Sequence, residues 1–243
     1  MNYEFSYMKK ITKIQEKAYE TNKESLHQLA NMIAENMMND HLIYVFGTGH
    51  SSLLGLELFS RAGGLANIVP MADPDTLTIY GSRRSGELEQ INGLADIIYD
   101  QYDIKPGDMI VINSNSGRNP VPVQMALRAK KEGLYIVVFT SLEESKKATS
   151  KDASNKKLYE VADLVIDNCA PFNDTCVKID NNLTGPTSSI ITFFMMHSAV
   201  TEAIEIMNQK GFKPYIFQSQ NIDGGKEDNI RSYMKYHNRV KTL

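Results

Sequence analysis

Leu42-Ile43-Tyr44-Val45-Phe46, followed at once by Gly47-Thr48-Gly49-His50-Ser51-Ser52, is the stretch on which the fold of this 243-residue chain turns. Five apolar residues without alternation, β-branched and aromatic among them, describe a strand covered on both faces, as strands of parallel sheets are. The polar turn behind it leads into a helical pattern from Leu53 to Ala62 that stops at Gly63-Gly64, glycine being the residue that ends helices most readily. The theme repeats downstream. Asn67 to Met71, Met109 to Asn113, Leu134 to Phe139 and Leu164 to Ile166 read as further strands. Helices are expected from about Glu87 to Tyr102, from Pro120, from the Thr187 region to about Met207, and in a tail from Asp228. Asp73 to Ser85 reads as a surface loop and Glu143 to Lys157 as a flexible, partly helical excursion. Strands alternating with helices predict an α/β fold with a three-layer, doubly wound parallel sheet.

Upstream of the first strand, Ile11, Ile14, Ala18, Leu26, Leu29, Ile33 and Met37 recur at helical spacing. They predict one or two amphipathic helices whose apolar face covers the sheet or meets a second subunit. The expected organisation is an N-terminal helical extension, residues 1–40, and one domain, residues 41–243, a length that a single core can serve.

The bulk numbers exclude several classes of function. A composition of 42% hydrophobic and 23% charged residues is that of a globular chain. A net charge of -3 offers no general attraction to polyanions, so no nucleic-acid partner is expected and any anion must be held locally. Cys169 and Cys176, the two cysteines, fit neither a zinc knuckle nor a C-x-x-C motif and read as reduced thiols. Met1 to Lys10 lacks the apolar segment of a signal peptide, and the longest apolar stretch, Ile190 to Met196, is far short of the ~20 residues of a membrane span. A cytoplasmic protein without membrane contact is expected.

In doubly wound sheets ligands bind beyond the carboxyl ends of the strands. Two Ser/Gly turns fall there. In the first, Gly47 and Gly49 let the backbone bend, and Ser51 and Ser52 bring hydroxyls and backbone N–H groups to a helix start, which suits a phosphate. A dinucleotide is disfavoured, because G-x-G-x-x-G would need glycine where Ser52 stands and no acidic ribose ligand follows the second strand. The second turn, Ser114-Asn115-Ser116-Gly117-Arg118-Asn119, crowds Ser114, Ser116 and Asn119 around Gly117 ahead of Pro120. Its bland reading is a capping turn with Asn119 as N-cap.

Taken in order, Gly47-x-Gly49-x-Ser51, Ser114-x-Ser116-Gly117, Thr140-Ser141 and a helix start at Thr187-Ser188-Ser189 resemble the motifs of SIS (sugar isomerase) domains over about Leu42 to Met207. Ala170-Pro171, Gly185-Pro186 and Phe217-Gln218-Ser219-Gln220-Asn221 are similar to a bacterial branch of that family labelled phosphosugar or phosphoheptose isomerase. The resemblance implies a phosphorylated sugar as ligand, no cofactor, no metal, and a homodimer or higher homo-oligomer. It places phosphate on Ser114, Asn115, Ser116, Gly117 and Asn119, with Gly49, Ser51 and Ser52 near the sugar or phosphate and Thr187 or Ser188 closing the pocket. Asn119 stands where the family has Ser or Thr, and asparagine still donates.

Aldose–ketose isomerisation moves a proton between adjacent carbons, commonly with a carboxylate base and a histidine assisting at the oxygens. Phosphoheptose isomerases of the family carry a glutamate on the first helix and a histidine on a late one, for which Glu57 and His197 are the nearest equivalents by type. Counted from the first glycine, the family glutamate falls on Arg61 and its neighbouring histidine on Glu57. Etherases of the family acting on N-acetylmuramic acid 6-phosphate also have glutamate at the Arg61 position, which argues against that activity. Glu57 and Arg61, spaced i and i+4, also fit a plain surface pair, and His197 a core histidine. Glu87 and Glu89 read as acids offsetting a helix dipole, while many SIS enzymes have a glutamate near this helix that reaches a neighbouring site, which adds Glu89 to the catalytic candidates. Arg83 and Arg84 fit a solvated loop or an anion across a subunit boundary. His27, His41 and His237 lack the spacing of a metal site. Three readings stay open: an isomerase, a non-catalytic phosphosugar sensor, and a lyase or deaminase on an amino-sugar phosphate.

Overall fold

Five parallel strands run in the order β2-β1-β3-β4-β5, with β1 at Ile43–Gly47, β2 at Ile68–Met71, β3 at Met109–Asn113, β4 at Tyr135–Thr140 and β5 at Leu164–Asp167. The computed structural model describes residues 5–243; residues 1–4 of the N-terminal stretch lie outside the described residues. Every residue of β1 and β3 is buried, which is why their sequences are apolar runs up to Gly47 and Asn113 at their carboxyl ends. Along β1, Ile43 and Val45 enter one core cluster while Leu42, Tyr44 and Phe46 enter the other, so the sheet is packed on both sides.

One face carries α1 (Ser6–Met38), α2 (Leu53–Leu58) and α8 (Ser188–Gln209). The N-terminal helix is a single 33-residue element, and Leu26, Leu29, Ile33 and Met37 are at most 5% exposed. Each such side chain contributes roughly 1.5–3 kcal/mol when buried. The buried residues of α1 belong to the same core cluster as those of β1, β3 and α8. At 22 residues α8 is long and apolar enough to cross a membrane, but half of its apolar window is buried, the pattern of a core helix. The other face carries α4 (Leu94–Tyr99), α5 (Pro120–Lys131), α7 (Leu158–Val161) and the tail helix α9 (Gly225–Tyr236).

Several expectations are corrected. The helical pattern through Ala62 stops at Leu58, because Phe59 is extended and Gly63 and Gly64 pair with Phe217 instead. The expected loop through Ser85 contains two 3-10 turns and the start of α3 (Ser82–Leu88), and its arginines are paired within the chain, Arg83 to Glu87 at 2.9 Å and Arg84 to Asp75 at 2.6 Å. The helix expected over Glu87 to Tyr102 is broken between Glu89 and Gly93. Glu87 and Glu89 consequently lie at the end of α3 and do not offset its dipole. The excursion after β4 forms α6 (Leu142–Lys147) and then a set of turns. An antiparallel hairpin, β6 (Thr175–Ile179) and β7 (Asn182–Pro186), was not expected; its mixed burial gives no continuous apolar run.

Candidate active site

The chain leaves β1 towards the α2 face and β3 towards the α5 face, so β1 and β3 flank the point where the topology reverses, and a crevice opens at the carboxyl ends of such strands. Gly47 is paired with Asn113 across that boundary, which sets the two Ser/Gly turns side by side.

The first turn closes on itself. Ser51 N–H donates to the Thr48 carbonyl at 3.0 Å, Ser52 Oγ donates to the Gly49 carbonyl at 2.7 Å, and a 3-10 turn over Gly49–Ser52 leads into α2. A Cβ on Gly47 would sit 2.5 Å from the Ser51 oxygen, so only glycine permits the turn. Asn113 Nδ2 donates to the Ser51 carbonyl at 3.1 Å and ties this turn to the second. The Ser51 hydroxyl makes no hydrogen bond among the described residues.

In the second turn the carbonyls and the N–H groups part company. The Asn115 carbonyl accepts from Ser141 N–H and Thr140 Oγ, Gly117 from Leu158 N–H, Arg118 from Lys151 N–H and Asn119 from Val123 N–H. Among the described residues the N–H groups of Ser116, Gly117, Arg118 and Asn119 have no acceptor, nor do the hydroxyls of Ser114 and Ser116. A loop with four of its carbonyls occupied and four consecutive N–H groups free is a site for an anion. Gly117 holds φ +56°, and a Cβ there would meet Ser145 Oγ at 3.1 Å and Leu158 at 3.2 Å, so the bracing segment lies against it. The following helix adds little, since Pro120 and Pro122 have no N–H and Val121 N–H donates to the Glu89 carbonyl at 3.1 Å.

The capping reading of Asn119 fails: it precedes α5 but its side chain makes no cap, donating instead to Glu89 Oε1 at 2.7 Å. The other carboxylate oxygen accepts from Thr48 Oγ, also at 2.7 Å. Glu89 thus clamps both turns within one chain. Asn115 is a brace as well, its Nδ2 donating to Glu144 at 2.8 Å and its Oδ1 accepting from Asn168 at 3.0 Å.

Glu57 and His197 are brought together, Oε1 and Nε2 lying 3.1 Å apart, and Arg61 pairs with the same carboxylate oxygen. Burial, and then the Arg61 charge, push the His197 pKa below its ordinary 6.5, so the imidazole is neutral at pH 7. Thr187 and Ser188 are not brought to the turns as free donors. Asp174 Oδ1 accepts from Thr187 N–H, Thr187 Oγ and Ser188 N–H at 3.1, 2.8 and 2.7 Å, and its Oδ2 accepts from Ser188 Oγ at 2.8 Å. The start of α8 is already occupied by the chain's own carboxylate.

Sequence reading passed over Thr48, Arg118, Glu144 and Asp174. Arg118 was there to be found as the one cation inside the second turn; Asp174 acts 13 residues away on a turn that has no motif. Burial and the neighbouring Asp174 raise the Glu144 pKa, and the Arg118 charge opposes them. Among the described residues no three His, Cys, Asp or Glu side chains converge as a metal site would require.

A family model described as the SIS domain matches residues 6–141. UPF0309 proteins of Halalkalibacterium halodurans and Geobacillus kaustophilus are 36% and 39% identical to this chain, over 95% and 98% of its length and 96% and 95% of theirs. Among solved structures, phosphoheptose isomerase GmhA from Neisseria gonorrhoeae superposes with a TM-score of 0.55 at 14% identity, covering 82% of this chain and 96% of that one. The Vibrio vulnificus NanR protein complexed with ManNAc-6P superposes with a TM-score of 0.51 at 14% identity, covering 84% and 63%. With its sheet order, paired turns and near-full-length relatives, the chain belongs to the SIS domain family, in the company of the UPF0309 proteins.

Proposed function

We propose that the crevice between the turns binds a sugar phosphate and that the protein isomerises it between aldose and ketose. The observation that carries the reading is the second turn, in which the N–H groups of Ser116 to Asn119 stand free among the described residues while the carbonyls of Asn115, Gly117, Arg118 and Asn119 are occupied. The phosphoryl group takes those donors together with the hydroxyls of Ser51, Ser114 and Ser116, and the sugar runs along α2. Glu57 lies five residues past Ser52, ~7.5 Å at 1.5 Å per residue, a span that a sugar covers.

At that distance the proton transfers fall to Glu57 and His197. The carboxylate takes the proton from the carbon beside the carbonyl, giving an enediol, and returns it to the neighbouring carbon. Neutral His197 can both accept and donate, and so passes a proton between the two oxygens. Leu53 and Leu56 on α2 and Ile190 and Phe194 on α8 are 37, 44, 42 and 38% exposed around this pair, which supports a second copy of the chain packing here, in a homodimer or higher oligomer.

One observation favours a second reading, binding without turnover: Glu57 Oε1 is already shared by Arg61 and His197. Among the fold's neighbours one is named a phosphoheptose isomerase and another is complexed with ManNAc-6P. Thermal-shift screening of aldose, ketose and amino-sugar phosphates, followed by product analysis, separates them. An isomerase keeps its ligand-induced shift in Glu57→Gln and His197→Ala while turnover falls by about 10²–10⁴. A wild-type shift with no product from any sugar establishes the sensor, ammonia or another released group establishes the lyase or deaminase, and no shift at all removes the phosphosugar reading.

A further inference from the structure

Arg118 is the second turn's one cation, and its guanidinium makes no hydrogen bond or ion pair among the described residues. Its Nε is buried with no partner. A buried donor left unsatisfied costs about 1–3 kcal/mol, more when charged, so the arrangement is expected to be completed by something from outside the chain. Two other buried atoms without partners adjoin the same turn, Asn119 Oδ1 and Ser145 Oγ. Arg118's backbone is fixed from below, its carbonyl accepting from Lys151 N–H at 2.9 Å, so the side chain starts from a rigid position beside the free N–H groups. Glu144, the nearby acid, accepts from Asn115 Nδ2 at 2.8 Å; its charge and that of Arg118 act on each other at a distance, without ion-pair contact among the described residues. Of the chain's other arginines, Arg61, Arg83, Arg84, Arg128 and Arg239 each have a carboxylate partner, and Arg231 donates to the Lys213 and Pro214 carbonyls.

We propose that Arg118 is a ligand-binding residue of the turn, its guanidinium fork taking the phosphoryl oxygens that the N–H groups of Ser116 to Asn119 leave uncovered, so that the site selects a phosphate monoester over an uncharged sugar. The proposal rests on the crevice reading and deepens it. The turn's dipoles alone would hold many small anions; a full charge on a planar fork adds strength and a preferred geometry.

The experiment is calorimetric titration of the full-length protein with inorganic phosphate and with the sugar phosphates that shift its melting, in wild type, Arg118→Gln, Arg118→Lys and the Ser114→Ala/Ser116→Ala double variant. Arg118→Gln is expected to raise Kd by about 10–100-fold, the range of a hydrogen bond to a charged group, with the ligand-free Tm little changed because the guanidinium makes no hydrogen bond or ion pair among the described residues and acts on Glu144 only at a distance. Arg118→Lys is expected to recover part of the loss. Wild-type affinity in Arg118→Gln, or a lower ligand-free Tm with Kd unchanged, overturns the proposal. If the double serine variant loses binding while Arg118→Gln keeps it, the role of Arg118 falls and the crevice reading stands. If wild type binds neither inorganic phosphate nor any sugar phosphate, both fall.

Discussion

The turn after β3 and the start of α8 look alike as sequence, Ser114-Asn115-Ser116 in one and Thr187-Ser188-Ser189 in the other, and the fold treats them in opposite ways. At the start of α8, Asp174 takes the N–H groups and hydroxyls of Thr187 and Ser188. In the turn after β3, partners come to the carbonyls of Asn115, Gly117, Arg118 and Asn119, while the N–H groups of Ser116 to Asn119 and the hydroxyls of Ser114 and Ser116 are left free among the described residues. Hydroxyl residues at a strand-to-helix junction are therefore no measure of an anion site. What separates them is whether the protein supplies its own acceptor.

That contrast can be broken, most severely in the open turn. Ser114→Ala/Ser116→Ala should abolish the stabilisation by a sugar phosphate, ~2.7 kcal/mol at a ligand concentration a hundred times Kd, while leaving the ligand-free melt in place; thermal shift reads both. Glu89→Ala frees Thr48 and Asn119 together and should raise Kd roughly tenfold through misplaced turns, measured by calorimetry. In the closed region the sign reverses. Asp174→Ala should lower stability without ligand by about 1–2 kcal/mol, the worth of an N-cap, and added inorganic phosphate should restore part of it by occupying the vacated donors. A melt indifferent to that substitution would mean that the Asp174 bonds are not holding α8.

The smallest effect concerns His197. Its folded pKa is depressed below 6.5, so as pH falls through 6.5 the unfolded chain takes the proton first. The stability associated with the neutral ring is thus complete above 6.5 and is lost below it, towards the folded pKa. His197→Gln should flatten the acid limb of a Tm-against-pH curve, with the effect limited because the side chain is 37% exposed.

What was legible in the sequence follows the same division. Strands β1 and β3 could be read because burial on both faces leaves an apolar run up to their last residues, Gly47 and Asn113. The hairpin β6–β7 could not, being largely exposed with Asp180-Asn181 as its only turn signal. Both Ser/Gly turns were visible as motifs, and Glu57 and His197, 140 residues apart, were named by residue type and are adjacent in space. The functions of Glu89, Asn115 and Asn119 as clamp and braces were hidden, since each depends on a partner in another segment. Arg118 was passed over because the motif places no demand on its position.

The donors of the second turn are held by residues that lie well beyond it. Thr140, Ser141, Lys151 and Leu158 fasten its carbonyls, so the polar excursion after β4 is the mould in which the turn is cast. Selection acting on that stretch could retune what the crevice accepts without altering a letter of Ser114 to Asn119, and two homologues with the same motif could have diverged in ligand through lengths and sequences that a motif comparison would discard as loop.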